Sequence, residues 1–90
     1  MNLSTKQRQA LKARAHALKP VIFLGAKGLT DAVIAETDQA LFAHELIKVK
    51  LAGVERDDKP KVVLDIASRV HADIVQTVGN IATLYRKRPN

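Results

Sequence analysis

The sequence predicts an α/β fold of the two-layer α+β kind, with elements in the order α-β-α-β-α-β-β and a mixed four-stranded sheet. Three observations carry this. Apolar residues recur at spacings of three and four over three stretches, the period of a helix with one buried face. Between and after those stretches lie short apolar runs, too brief for helices but long enough for strands. The last two runs are separated only by Gly79-Asn80, a good two-residue hairpin turn. Helical links make the first three strands parallel, with right-handed crossovers. If those strands progress in one direction, both crossover helices cover one face. The other face is then open unless the first helix shields it.

Ser4-Thr5-Lys6-Gln7 reads as a capping box, so the first helix should run from Thr5 to about Leu18. Leu11, Ala15 and Leu18 form its core-facing seam. Arg8, Lys12 and Lys19 lie close together on a neighbouring face, a possible rail for a phosphate backbone. Pro20 closes the helix by holding Lys19 out of the αR region. Val21–Leu24 is the first strand. The second helix runs from Asp31 to about His44, with a buried stripe of Val33, Ile34, Thr37, Ala40 and Leu41. Leu46 to Leu51 is the second strand. In it Ile47, Val49 and Leu51 alternate with Lys48 and Lys50, so one face is apolar and the other basic. After a polar loop from Ala52 to Asp58, Pro60 fits the first turn of a third helix, with Asp58 near its cap. Val62, Val63, Ile66, Ala67 and Val70 are its buried stripe. Ile74–Val78 and Ile81–Arg86 are the hairpin strands. The turn pairs Val78 with Ile81, Gln76 with Thr83 and Ile74 with Tyr85. Arg86-Lys87-Arg88-Pro89-Asn90 is a basic tail, expected to fray from about residue 87.

Ninety residues make one domain, spanning 1–90, and bury somewhat over ~60% of the unfolded surface. There is no cysteine, which excludes disulfides and thiolate chemistry. No apolar run approaches the ~20 residues that cross a bilayer, and the N-terminus is too polar for a secretory signal. A soluble cytoplasmic protein is expected, without a membrane partner and as a monomer. The net charge is +6 and the pI about 10.0. Residues 1–30 carry six cations and no acid, whereas residues 31–45 carry four acids and no lysine or arginine. Arg86, Lys87 and Arg88 add a second basic end. A solvated surface usually mixes its signs, so this segregation points to a polyanion.

The stretch from Val21 to Thr30 is the candidate centre. A strand runs into Gly25-Ala26-Lys27-Gly28, a G-x-x-G loop holding a lysine, and then into the helix N-cap Thr30. Glycines let a backbone approach a ligand, and the free N–H groups and dipole of a helix start favour phosphate. The strand bearing Lys48 and Lys50 begins a helix length later in the chain, so loop and strand lysines need not meet one stretch of polyanion.

Four pieces together resemble one family: Leu18-Lys19-Pro20, Gly25-x-x-Gly28-Leu29-Thr30, His44-Glu45-Leu46-Ile47-Lys48-Val49-Lys50 and Leu84-Tyr85-Arg86. The chain resembles the YhbY-type CRM domain (chloroplast RNA splicing and ribosome maturation) from about Leu3 to Arg88. The resemblance implies an RNA-binding domain similar in fold to the C-terminal domain of bacterial translation initiation factor three, with the last strand antiparallel to the others. It also implies a bacterial role with precursors of the large ribosomal subunit, and RNA contact at Gly25, Ala26, Lys27 and Gly28. The family often has lysine directly after the first glycine; here that position is Ala26 and the cation is Lys27.

Other chemistries find no support. The loop lacks the G-x-x-x-x-G-K-[ST] of a nucleotide-binding P-loop. His16, His44 and His71 lie on three different elements without metal-ligand spacing. Asp57-Asp58 reads as a turn and helix cap, and Ser4 and Ser68 have no triad partners. No enzyme and no cofactor is expected. Phe23 and Phe42 sit in apolar runs and read as core, which leaves Tyr85 as the candidate for base stacking, with packing its favoured role. The favoured expectation is a non-enzymatic RNA-binding domain for rRNA in large-subunit precursors. Its contacts would be Gly25, Ala26, Lys27, Gly28 and Thr30 at the loop, Arg8, Lys12 and Lys19 on the first helix, Lys48 and Lys50 on the sheet, and Arg86, Lys87 and Arg88. The alternative is a protein-interaction module that docks on a ribosomal protein or assembly factor.

Overall fold

The computed structural model of this chain describes residues 3–89. Its elements are α1 (Thr5–Ala15), β1 (Ile22–Phe23), α2 (Asp31–His44), β2 (Leu46–Lys50), a 3-10 turn (Arg56–Asp58), α3 (Lys59–Arg69), β3 (Asp73–Val78) and β4 (Ile81–Tyr85). The capping box forms: Gln7 N donates to Ser4 Oγ at 3.0 Å, and Ser4 N donates to Gln7 Oε1 at 2.9 Å. α1 stops at Ala15 rather than near Leu18. Leu18 N still donates to Ala15 O at 3.0 Å, but in a turn. Pro20 bars Lys19 from helical dihedrals, and the residues before it are spent turning the chain into β1. Leu18 consequently leaves the seam and is exposed, while Leu11 and Ala15 are buried.

The sheet order is β1-β2-β4-β3. β1 is parallel to β2, and β4 is antiparallel to both β2 and β3. The first three strands thus run one way and the last returns between two of them. Ile22, Leu24, Ile47, Val49, Ala82 and Leu84 face the larger core with Leu41 of α2 and Val63, Ile66 and Ala67 of α3. On the opposite face a smaller core joins Leu11 and Ala15 of α1 to Leu46 and Val75, with Tyr85 packed against it. The first helix therefore shields only part of the face that the crossover helices leave open.

The hairpin keeps the expected pairs Val78 with Ile81 and Gln76 with Thr83. Gly79 supplies the positive φ, at 57°, that the turn needs. The expected pairing of Ile74 with Tyr85 does not occur. The register shifts between Ile74 and Gln76, so Ile74 meets Leu84 and Asp73 meets Tyr85. Simple alternation back from Val78 and Gln76 would put Ile74 under α1 and Val75 in the larger core. The bulge at Val75 reverses this, burying Val75 under α1 and returning Ile74 to the larger core. Arg8 completes the arrangement: its Nη1 donates to Ile74 O at 2.5 Å and to Val75 O at 2.7 Å.

The start of the basic tail is anchored. Arg86 N donates to Glu45 O at 2.9 Å, and Arg88 N donates to Glu45 Oε2 at 2.8 Å. Arg86 Nη1 donates to Asp38 Oδ1 and to Val70 O, each at 2.7 Å, and Nη2 donates to Asp38 O at 3.0 Å. One guanidinium thus joins α2, the end of α3 and the end of β4. Asn90 lies outside the described residues.

Candidate nucleic-acid interface

The G-x-x-G stretch is a closed turn at the end of the sheet where β1 and β2 both finish. Gly28 N donates to Gly25 O at 3.0 Å, and Gly28 takes φ 70°, which a side chain would resist. Ala26 and Lys27 are exposed at its tip. Thr30 Oγ1 then accepts from Val33 N at 3.2 Å and starts α2. The turn is braced by a residue outside the motif. Gly53 N donates to Leu24 O at 3.1 Å. A Cβ on Gly53 would lie 2.7 Å from Ala26 N and would overlap the Gly25 carbonyl group. Gly53 is the only residue type that fits there, and nothing local in Ala52-Gly53-Val54 signals it, because the reason lies across the sheet end.

The strand lysines stand beside this loop. A parallel crossover returns the chain to its starting end, so the C-terminal end of β2 lies next to that of β1. Phe23 is the register partner of Lys50, and Leu24 N donates to Lys50 O at 2.8 Å. The loop begins at the next residue. Ile22 and Val49 face the larger core, so Phe23, Lys48 and Lys50 share the partly open face. Phe23 is 63% exposed, and Phe42 on α2 is also exposed. Both were expected in the core. Four consecutive apolar residues, Val21 to Leu24, look buried on both faces. The sheet is covered fully on only one, and parity puts Phe23 on the other. Tyr85, the candidate stacker whose favoured role is packing, is half-buried against the Leu11 cluster.

Beside these residues a groove of about 360 Å³ runs between α1 and the sheet, lined by Lys12, His16, Lys48, Gln76, Val78 and Ile81. A second groove, of about 400 Å³, opens at the α1–β1 turn between Arg14, Lys19, Val21 and His44. Lys12, Lys48 and Lys50 therefore belong to one face, with Lys27 at its end and Lys19 at its side. Arg8 and Arg86 make contacts within the fold: Nη1 of Arg8 holds the β3 bulge, and Arg86 ties the middle of α2 to the end of α3. Lys87 and Arg88 follow β4 at the end of the sheet where β2 begins, since Leu46 pairs with Tyr85. That is about 13 Å of strand from the glycine loop, and the structure does not gather them into the same patch.

The fold and the site define a class: a small basic α/β domain in which a glycine turn and a lysine-bearing sheet face form one continuous surface. Within that class the chain belongs to the CRS1/YhbY (CRM) domain family, whose model matches residues 3–86. It is 52% identical over 84 residues to an RNA-binding protein of Haemophilus influenzae, covering 93% of this chain and 85% of the relative. It is 44% identical over 89 residues to a probable RNA-binding protein of Pseudomonas aeruginosa, covering 99% and 86%. The solution structure of a hypothetical Staphylococcus aureus protein, described as a candidate RNA binder, superposes with a TM-score of 0.85 at 28% identity, covering 99% of this chain and 93% of that one.

Proposed function

We propose that this protein is a non-enzymatic RNA-binding domain that holds rRNA in precursors of the large ribosomal subunit, acting as a monomer in the cytoplasm. The observation that carries the reading is the adjacency of Phe23 and Lys50 to the Gly25–Gly28 turn, which joins loop and sheet lysines into one surface. An RNA strand laid along it would meet Lys27 and the turn's backbone first, then Lys50, Lys48 and Lys12. Lys19, Lys87 and Arg88 would serve as outlying contacts. The names of the relatives support RNA as the partner, and the family resemblance supports the ribosomal target.

Phosphate contacts release counterions, so log K should fall linearly with log salt, by about 0.7 per contacted phosphate on a single strand. Five contacts would give a slope near −3.5 by that rule. Binding that stays flat from low to moderate salt would instead favour docking on a ribosomal protein or assembly factor. The ribosomal target has its own test, crosslinking in cells followed by sequencing of the bound RNA. Enrichment of large-subunit rRNA and its precursors is expected, and enrichment of other transcripts alone would remove the ribosomal assignment.

A further inference from the structure

The exposed ring of Phe23 is the least explained feature of the molecule. β1 has only two residues and sits at the sheet edge, so its outward side chain has no neighbouring strand beyond it. An apolar ring 63% open to solvent gains nothing for the fold. Val21, two residues back, is also exposed, but the register partner of Phe23 is Lys50 and the same face carries Lys48 and Lys12, so cations interrupt the apolar surface. An aromatic face beside several cations suits a ligand with a flat π-system and a negative backbone.

We propose that Phe23 is a stacking platform for one unpaired base of single-stranded RNA, with Lys50 and Lys48 holding the flanking phosphates. The proposal rests on the RNA-binding reading above and deepens it by naming the strandedness of the RNA and the residue that senses it. A base in a duplex is stacked on its neighbours and cannot lie on a protein ring, whereas an unpaired base can be splayed out onto one. Stacking tolerates all four bases, because each has a π-face, so the site selects single strands rather than a sequence. The groove lined by Lys12 and Lys48 offers the next nucleotides a path, with the Gln76 amide among the polar groups that line it.

The protein has no tryptophan, which makes the test direct. Phe23→Trp would install a single indole at the site. A 12-nucleotide mixed-sequence RNA should quench its fluorescence, and the same RNA annealed to its complement should not. In parallel, fluorescence anisotropy with that labelled RNA at low salt compares the wild type with Phe23→Ala, Phe23→Leu and Phe23→Tyr. Removing a base–aromatic stack weakens single-strand binding roughly 5- to 100-fold, so Phe23→Ala and Phe23→Leu should lose affinity in that range while Phe23→Tyr keeps it. Duplex affinity should be the same in all four. The side chain is mostly in solvent, so these variants should fold, which circular dichroism checks. If the wild type binds the single strand and Phe23→Ala or Phe23→Leu binds equally well, the stacking role is wrong and the RNA-binding reading stands. If the wild type binds neither RNA form at low salt, both fall together.

Discussion

Gly53 lies against Gly25 with no room for a methyl group between them, although the two are separated by a helix and a strand. The contact locks the turn that carries Lys27 to the end of β2. Gly53→Ala must push the two loops apart or strain one of them. Overpacking of this kind typically costs about 1–3 kcal/mol, and the loss should appear as a lower urea midpoint with an unchanged slope. An unchanged midpoint would mean that the Gly25 turn yields freely and is not braced at all.

Gly25 and Gly28 should behave differently from Gly53 and from each other. A Cβ on Gly25 meets nothing within 4 Å, and Gly25 has no positive φ. Gly25→Ala should therefore leave stability unchanged, and any loss of RNA affinity would report a backbone that a ligand approaches closely. Gly28 has equal space but φ 70°, so Gly28→Ala should cost about 1–2 kcal/mol through backbone strain alone. Comparing thermal unfolding with RNA affinity for the pair separates shape from strain. Full RNA affinity in Gly25→Ala would show that the ligand does not come close to the turn's backbone.

Arg86 should prove a residue of stability rather than of binding. Its bonds to Val70 O and Asp38 O are to backbone, and the side chain is only 21% exposed. The Asp38 carboxylate is 59% exposed, so water screens that part of the interaction. Arg86→Ala should lower stability by about 1–3 kcal/mol, mainly by leaving the Val70 carbonyl at the end of α3 unpaired. Arg86→Lys should recover little, because an ammonium cannot span both carbonyl partners as a planar fork does. The salt slope of RNA binding should not change in a variant that remains folded. A lower slope with full stability would return Arg86 to the binding surface.

α2 was legible almost to the residue, because Thr30, the stripe from Val33 to Leu41 and the first-turn Asp31 all say the same thing. The strands and their directions followed from the links between them. What stayed hidden depends on partners far along the chain. Arg8 looks like a free cation in its helix, yet it serves carbonyls 66 and 67 positions away. The Val75 bulge arises because each face of β3 has its own core to meet, which alternation within one strand cannot reveal. Phe23 misled for a related reason: burial depends on which face the first helix covers, and α1 stops short of β1. Of the expected contacts, the glycine turn and the strand lysines were visible as motifs, but their adjacency required the register of β1 on β2.

That register sets the final expectation. Lys50 pairs with Phe23, two residues before the turn that holds Lys27, so a single RNA segment can touch all three. Lys48 lies farther along the same face, in the groove with Lys12. Lys27→Ala should remove one phosphate contact, and Lys48→Ala with Lys50→Ala should remove two. The salt slope should therefore fall by about 0.7 for the first and about twice that for the second, on a single-stranded RNA. Both losses should be uniform across sequences, since phosphate contacts carry no base information. Arg8→Ala should leave the slope alone and instead destabilise the β3 bulge. The combination of Lys27→Ala with Lys50→Ala tests continuity directly. Contacts along one strand lower the slope together, by the sum of the single effects. If Lys50→Ala has no effect on RNA binding while Lys27→Ala removes most of it, the turn alone is the site. The lysines of β2 would then serve only to keep an open sheet face in water.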